Sequence, residues 1–128
     1  MRKGFCWNRV TSFALQAWAL LEKEQGNLGS VSEEFTARWL FARAVKADPN
    51  DAPSLQAWAL LEKEQGNLGS VSEEFTARWL FAQAVKADPK DAPSWQAWMN
   101  MEENVGNEGG SNLPWSAAWL RERLHQCE

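Results

Sequence analysis

Apolar residues recur at helical spacing through the middle of the chain. Between positions 77 and 85 they fall at i, i+3, i+4, i+7 and i+8, which places them on one stripe of an α-helix. These residues are Ala77, Leu80, Phe81, Ala84 and Val85. Upstream, an i, i+3, i+6 ridge is formed by Leu55, Trp58 and Leu61. The pattern predicts two helices that pack against each other through these apolar faces.

Turn and cap residues predict where the two helices begin and end. The first helix is expected from Pro53 to Gln65, because proline suits the first turn and a glycine follows the last residue. The second is expected from Glu73 to Ala87, because Ser70 and Glu73 have the spacing of a capping box and an Asp-Pro pair follows. The glycine-rich segment between them is then a connection.

The helix pair belongs to a unit that is copied along the chain. The string LQAWALLEKEQGNLGSVSEEFTARWLFA starts at Leu15 and again at Leu55, and a weaker third copy starts at Trp95. A unit of 40 residues cannot bury its own apolar face, so neighbouring units must pack together. The chain divides into an irregular flank of residues 1–14, a first repeat of 15–54, a second of 55–94 and a partial third of 95–128.

The third copy stops within its second helix. Two full repeats and one partial repeat are near the minimum for a stable stack of helix pairs. We therefore expect an all-α chain that is either a piece of a longer array or one that self-associates through its incomplete C-terminal repeat.

Charge limits the partners that such an array is expected to bind. The formal net charge is −4 over 128 residues, and the basic residues of the flank carry no acidic counterpart whereas every repeat is acidic. An acidic array lacks the positive surface expected of a phosphate binder. Any RNA contact must then be local, or made by repeats that this sequence does not include.

No spacing in the sequence indicates catalysis or metal binding. His125 is the single histidine, and it has Cys127 nearby but no third group to orient a nucleophile and base. Cys6 and Cys127 lie at opposite ends, which favours free thiols over a disulfide. No apolar run is long enough to span a membrane. The carboxylates that recur between copies are interpreted as solvated helix faces: Glu62, Glu64, Glu73 and Glu74.

Two combined motifs resemble the half-a-tetratricopeptide (HAT) variant of the tetratricopeptide repeat. The first is the spacing of Ala77, Phe81, Ala84 and Pro89, and the second is the run Trp95, Trp98, Met101 and Glu102. The resemblance covers residues 15–128 and implies a right-handed superhelical solenoid of antiparallel helix pairs with a 40-residue period.

The chain departs from this family's pattern at three places. The unit exceeds the roughly 34 residues of a simple tetratricopeptide repeat, and the surplus lies in the connection from Gly66 to Ser72. Leu15 and Leu55 replace the leading tryptophan of the unit. Arg121 replaces the phenylalanine of the second helix, which predicts a charge on the core stripe of the third copy.

The resemblance implies a role in RNA processing. HAT proteins belong to splicing and 3′-end assemblies, and to factors that mature or protect organellar messenger RNAs. The chain is therefore expected to be a non-catalytic scaffold that binds single-stranded messenger RNA or RNA-processing proteins, in the nucleus or in an organelle such as the chloroplast. The alternative is a protein–protein adaptor that holds a peptide or helix in its concave groove. The acid-free start of the chain fits either an import signal or an irregular flank.

The first candidate surface is the concave groove. If the chain follows the register of a tetratricopeptide repeat, the resemblance implies that the first helix of each unit presents polar side chains there: Gln16, Lys23, Gln56, Lys63 and Gln96. Amide and ammonium groups at a constant interval suit the reading of a base or a peptide backbone at each step. The other interpretation is a merely solvated face.

The second candidate surface is an aromatic row of i, i+4 pairs, each sharing one helix face. The pairs are Phe35 with Trp39, Phe75 with Trp79, and Trp115 with Trp119. They are expected to hold the enlarged connection against the next repeat. If they are exposed, they form a row that stacks on bases or binds a partner helix.

Overall fold

The computed structural model describes residues 12–110 and 114–126, and within these ranges the only regular elements are α-helices. The six helices are α1 (Ser12–Glu24), α2 (Ala37–Ala47), α3 (Ala52–Glu64), α4 (Ala77–Ala87), α5 (Ala92–Asn104) and α6 (Ala117–His125). None of these helices has the length and apolar character that crossing a membrane requires. Cys6, Cys127 and the first eleven residues of the flank lie outside the described residues.

The helices pack in adjacent pairs. α1 contacts α2, α3 contacts α4, and α5 contacts α6, while α2 also contacts α3 and α4 contacts α5. The first helices of the pairs, α1, α3 and α5, touch one another in order. One continuous hydrophobic core runs through all three pairs. The expectation of an all-helical chain built from packed helix pairs is thus confirmed.

The apolar stripes predicted from the sequence form this core. All five stripe residues of α4, and the ridge residues of α3, are buried. Phe81 and Trp58 are almost fully inaccessible, and burying a side chain of this size stabilises the fold by about 1.5 to 3 kcal/mol.

The first helix of the second pair begins and ends close to the predicted bounds. Pro53 lies in its first turn. At the other end Gly66 has a φ of +80°, and its N–H donates to the Lys63 carbonyl at 3.0 Å while the Asn67 N–H donates to the Glu62 carbonyl at 2.9 Å. These two bonds form a Schellman motif, which satisfies carbonyls that the helix leaves open.

The predicted start of the second helix is wrong by four residues, because α4 begins at Ala77 and not at Glu73. Thr76 is the N-cap, and its hydroxyl accepts from the Trp79 N–H at 3.4 Å. The preceding residue, Phe75, has a φ of +66°, a left-handed conformation that a right-handed helix excludes. The Ser70 hydroxyl, expected to cap the helix, pairs instead with a neighbouring serine hydroxyl.

The connection between α3 and α4 is docked against the first turn of α4. The Ala77 and Arg78 N–H groups donate to carbonyls of Asn67 and Leu68 at 2.9 and 3.0 Å. Gly69 allows this approach, because a Cβ at that position would lie 2.3 Å from Thr76 side-chain atoms. The same arrangement recurs between α1 and α2, where the equivalent glycine is Gly29.

The charge predicted on the core stripe of the third copy lies at the surface instead. The Arg121 side chain is exposed and pairs with the carboxylates of Glu103 and Glu108. The equivalent Phe81 is buried between α4 and the helix pair that follows. No described helix covers that face of α6, so the arginine remains accessible to water.

Candidate functional site

Three of the predicted groove residues, Gln16, Lys23 and Gln56, line one open cavity between α1 and α3. This groove-side cavity has a volume of about 270 Å³. The groove-side cavity is lined by Gln16, Leu20 and Lys23 from α1 and by Pro53, Gln56, Ala57 and Leu60 from α3. Lys63 and Gln96 are not among its lining residues. Gln96 is exposed on α5 and donates to the Asn100 side chain at 3.0 Å.

The two groove lysines differ in their electrostatic surroundings. The Lys23 ammonium lies 3.2 Å from the Glu64 carboxylate, so its charge is largely balanced. Lys63 has no carboxylate at the corresponding place, because the residue equivalent to Glu64 in the third repeat is Asn104. Within residues 12–110 and 114–126, Lys63 makes no ion pair. The predicted groove residues therefore include one lysine with a carboxylate partner, Lys23, and one without an ion pair among the described residues, Lys63.

The aromatic pairs are part of ring stacks inside each helix pair. Phe75 stacks on Trp58 of α3 with centroids 5.4 Å apart and meets Trp79 of α4 edge-on at 5.4 Å. The first and third pairs repeat the arrangement, with Trp18, Phe35 and Trp39 and with Trp98, Trp115 and Trp119. The rings thus join the connection to the first helix of their own repeat.

Exposure differs along this row. Trp39 is buried at 6%, whereas Phe35 and Phe75 expose 47% and 41% of their surface. Phe35, Phe75 and Trp115 also have φ values of +65° to +69°, which are rare for bulky residues and cost about 1 to 2 kcal/mol each. The sequence offered no signal for these left-handed residues.

A buried carboxylate network joins the helix pairs, and the sequence interpretation of Glu62 as a solvated residue is wrong. Glu62 is only 2% exposed. Its oxygens accept from Arg38 Nε at 2.7 Å and Nη2 at 3.1 Å, from Trp58 Nε1 at 3.0 Å and from Asn67 Nδ2 at 3.1 Å. Glu64, Glu73 and Glu74, by contrast, are exposed as expected.

The same network recurs in the next pair around Glu102. Its donors are Arg78, Trp98 and Asn107. Burial raises the pKa of Glu102, but hydrogen bonds from these three side chains outweigh burial and hold the pKa below its ordinary value. The hydrogen bond to Glu102 in turn raises the pKa of Arg78. The ion pair joins α4 to α5.

A recurring spacing was the signal that could have revealed the network. In both copies a tryptophan lies four residues before the glutamate and an asparagine five residues after it, while the arginine lies 24 residues before it. The third copy keeps Trp98, Glu102 and Asn107 although most surrounding residues change. A surface carboxylate would not need these partners.

Comparisons with protein-family models, curated protein sequences and solved structures gave no match for this chain. Among the described residues, no group of three or more histidine, cysteine, aspartate or glutamate side chains is arranged to hold a metal ion.

Proposed function

We propose that the chain is a non-catalytic helical-repeat scaffold whose concave groove binds an extended segment of a partner protein. We infer for it a right-handed superhelical solenoid of HAT or tetratricopeptide type. The observation that carries the proposal is the groove-side cavity, where amide and aliphatic side chains of two successive first helices line the same space.

This lining suits an extended polypeptide. The backbone of such a segment has N–H and C=O groups without internal partners, and a glutamine amide both donates and accepts hydrogen bonds. Leu20 and Leu60 offer apolar surface to the side chains between those groups. Packed helices lie about 8 to 10 Å apart and three residues of polyproline II span about 9 Å, so successive glutamines meet every third residue.

Charge favours a peptide over a nucleic acid. Affinity for a phosphate backbone grows with the number of cations that neutralise it. The Lys23 charge is balanced by Glu64, and the chain as a whole carries a net charge of −4. A peptide needs no such positive surface.

Single-stranded RNA is the second candidate, in line with the expected role in RNA processing. It is supported by Lys63, which has no ion pair among the described residues, and by the partly exposed rings of Phe35 and Phe75. Aromatic faces stack on bases regardless of sequence.

Selection of random dodecapeptides against the wild-type chain, with counter-selection against Leu60→Glu, tests the proposal. Fluorescence anisotropy then measures the recovered peptides, and in parallel a labelled 20-nucleotide oligouridine at two salt concentrations. We expect peptides that bind the wild type and lose at least about tenfold in affinity with the double variant Gln16→Ala, Gln56→Ala.

The variant Lys63→Glu tests the RNA alternative. Lys86→Glu is its matched control, because Lys86 is exposed on α4 away from the groove. If no groove-dependent peptide is recovered while oligouridine binds with a strong salt dependence that Lys63→Glu abolishes and Lys86→Glu does not, RNA is the ligand and the peptide proposal is wrong.

A further inference from the structure

Successive helix pairs are joined by an arginine and a phenylalanine that lie three residues apart on the second helix. In α2 these are Arg38, which binds Glu62 through two hydrogen bonds, and Phe41, which stacks on Trp58 at 6.3 Å. α4 presents the same two residue types to the Glu102 carboxylate and the Trp98 ring, the latter at 6.1 Å. The chain thus shows twice which chemistry fits the receiving face of a first helix.

α1 has the same receiving face but no such helix against it among the described residues. We define the α1 outer face as Trp18, Leu21 and Glu22. Leu21 is 56% exposed, whereas the equivalent Leu61 is fully buried. Trp18 and Glu22 are only partly buried, unlike their equivalents in α3 and α5.

The Glu22 carboxylate is held in the orientation that its equivalents use to bind arginine. One oxygen accepts from Trp18 Nε1 at 3.2 Å and the other from Asn27 Nδ2 at 3.0 Å. Around Glu62 the corresponding tryptophan and asparagine donors bind the same two oxygens, and the guanidinium adds two further bonds. At Glu22 no arginine of the described residues supplies those two bonds.

We propose that the α1 outer face docks a helix of a partner protein that presents arginine and phenylalanine at positions i and i+3. The arginine forms a bidentate pair with Glu22, and the phenylalanine stacks on Trp18 as Phe41 does on Trp58. Guanidinium and carboxylate match in charge and in fork geometry. An exposed leucine and a partly buried tryptophan beside a prearranged carboxylate indicate an interface.

Among the described residues, a second copy of the chain offers no unoccupied pair of these side chains. In α2 and α4 the arginine and phenylalanine are already bound by the following helix. On α6 the equivalent positions hold Ala118 and Arg121, and Arg121 is paired with two glutamates. The α1 outer face also lies on the side of α1 opposite Gln16 and Lys23, so this proposal is independent of the groove.

A helical peptide of residues 36–48 is the probe, labelled with fluorescein and stapled between positions 39 and 43 on the side away from Arg38 and Phe41. Fluorescence anisotropy measures its binding to the full chain. We expect binding that weakens at least about tenfold when the peptide carries Arg38→Ala, and by the same factor when the protein carries Glu22→Gln. The Arg38→Ala peptide should bind the Glu22→Gln protein with no further loss of affinity, because each change removes the same ion pair.

Glu24→Gln is the matched control, because it removes the same charge from the same helix outside the α1 outer face. The proposal is overturned if Glu22→Gln and Glu24→Gln weaken binding equally, or if the Arg38→Ala peptide binds as well as its parent. It is also overturned if Arg2→Ala with Phe5→Ala raises the peptide affinity, since the flank's own Arg-x-x-Phe sequence would then be the occupant.

Discussion

Arg78 and Glu102 join the second helix pair to the third through two short hydrogen bonds. Nε and Nη2 of the arginine lie 2.7 and 2.9 Å from the carboxylate oxygens. The remaining guanidinium nitrogen donates to the Gly69 carbonyl at 2.8 Å. Since Glu102 is fully buried and Arg78 is one quarter exposed, one side chain ties the connection and α4 to α5 at the edge of the core.

Removing this guanidinium should destabilise the fold strongly. Arg78→Ala leaves the Glu102 carboxylate buried with only neutral donors, and breaking a buried ion pair in this way costs about 3 kcal/mol. Urea denaturation followed by tryptophan fluorescence gives the free energy of unfolding. Arg121→Ala is the control, because its pairs with glutamates are exposed to solvent and should contribute far less. Equal losses from the two variants would contradict this account of the network.

Acid should weaken the same contact. The pKa of Glu102 is lower in the folded chain than its ordinary value of 4.5, so the carboxylate binds its proton less readily when folded. Its stabilisation is therefore fully present above pH 4.5 and is lost as pH falls through the lowered folded-state pKa. The free energy of unfolding of the wild type should exceed that of Glu102→Gln at pH 7, and the difference should shrink below pH 4.5.

The comparison with Glu102→Gln isolates one carboxylate from the others that titrate in the same range. Glu122→Gln is the control, because its side chain is exposed on α6. At pH 7 it should lower the free energy of unfolding far less than Glu102→Gln does, because an exposed side chain loses few contacts. A wild-type advantage over Glu102→Gln that grows on acidification would reverse the sign and contradict the assignment.

Apolar spacing predicted the helices and their buried stripes because burial acts on each residue directly. Phe81 and Trp58 repeat at helical intervals whichever element they contact, so their pattern is visible along the chain. The end of α3 could also be predicted from the sequence, because a glycine such as Gly66 readily takes the positive φ that ends a helix and few other residues do.

Features that depend on distant partners could not be predicted in the same way. Glu62 looked solvated because its arginine lies 24 residues away and reaches it only across two packed pairs. The start of α4 was misplaced because Ser70 and Glu73 fit a local capping rule, whereas the stack of Phe75 on Trp58 imposes a left-handed residue just before the helix. Tertiary packing overrode local preference at both places.

The two glycines of the connection should respond differently to alanine. Both have positive φ, so alanine is strained at either position by about 1 to 2 kcal/mol. At Gly66 the added methyl group meets open space, but at Gly69 it would lie 2.3 Å from Thr76 side-chain atoms. We expect Gly69→Ala to lower the free energy of unfolding clearly more than Gly66→Ala, as measured by urea denaturation. Similar losses would mean that the connection is not docked on Thr76.

Phe75 should prefer glycine to alanine as its replacement. Phe75→Ala removes the ring from between Trp58 and Trp79 and keeps the strained φ, at a cost of about 1 to 2 kcal/mol. Phe75→Gly removes the same ring but relieves about 1 kcal/mol of backbone strain, so it should be the more stable of the two in urea denaturation. Lys86, which is exposed on a helix, is the control position. There Lys86→Ala should be more stable than Lys86→Gly, because alanine has the higher helix propensity. If alanine is also the more stable replacement at position 75, the left-handed conformation before α4 is not what sets the start of that helix.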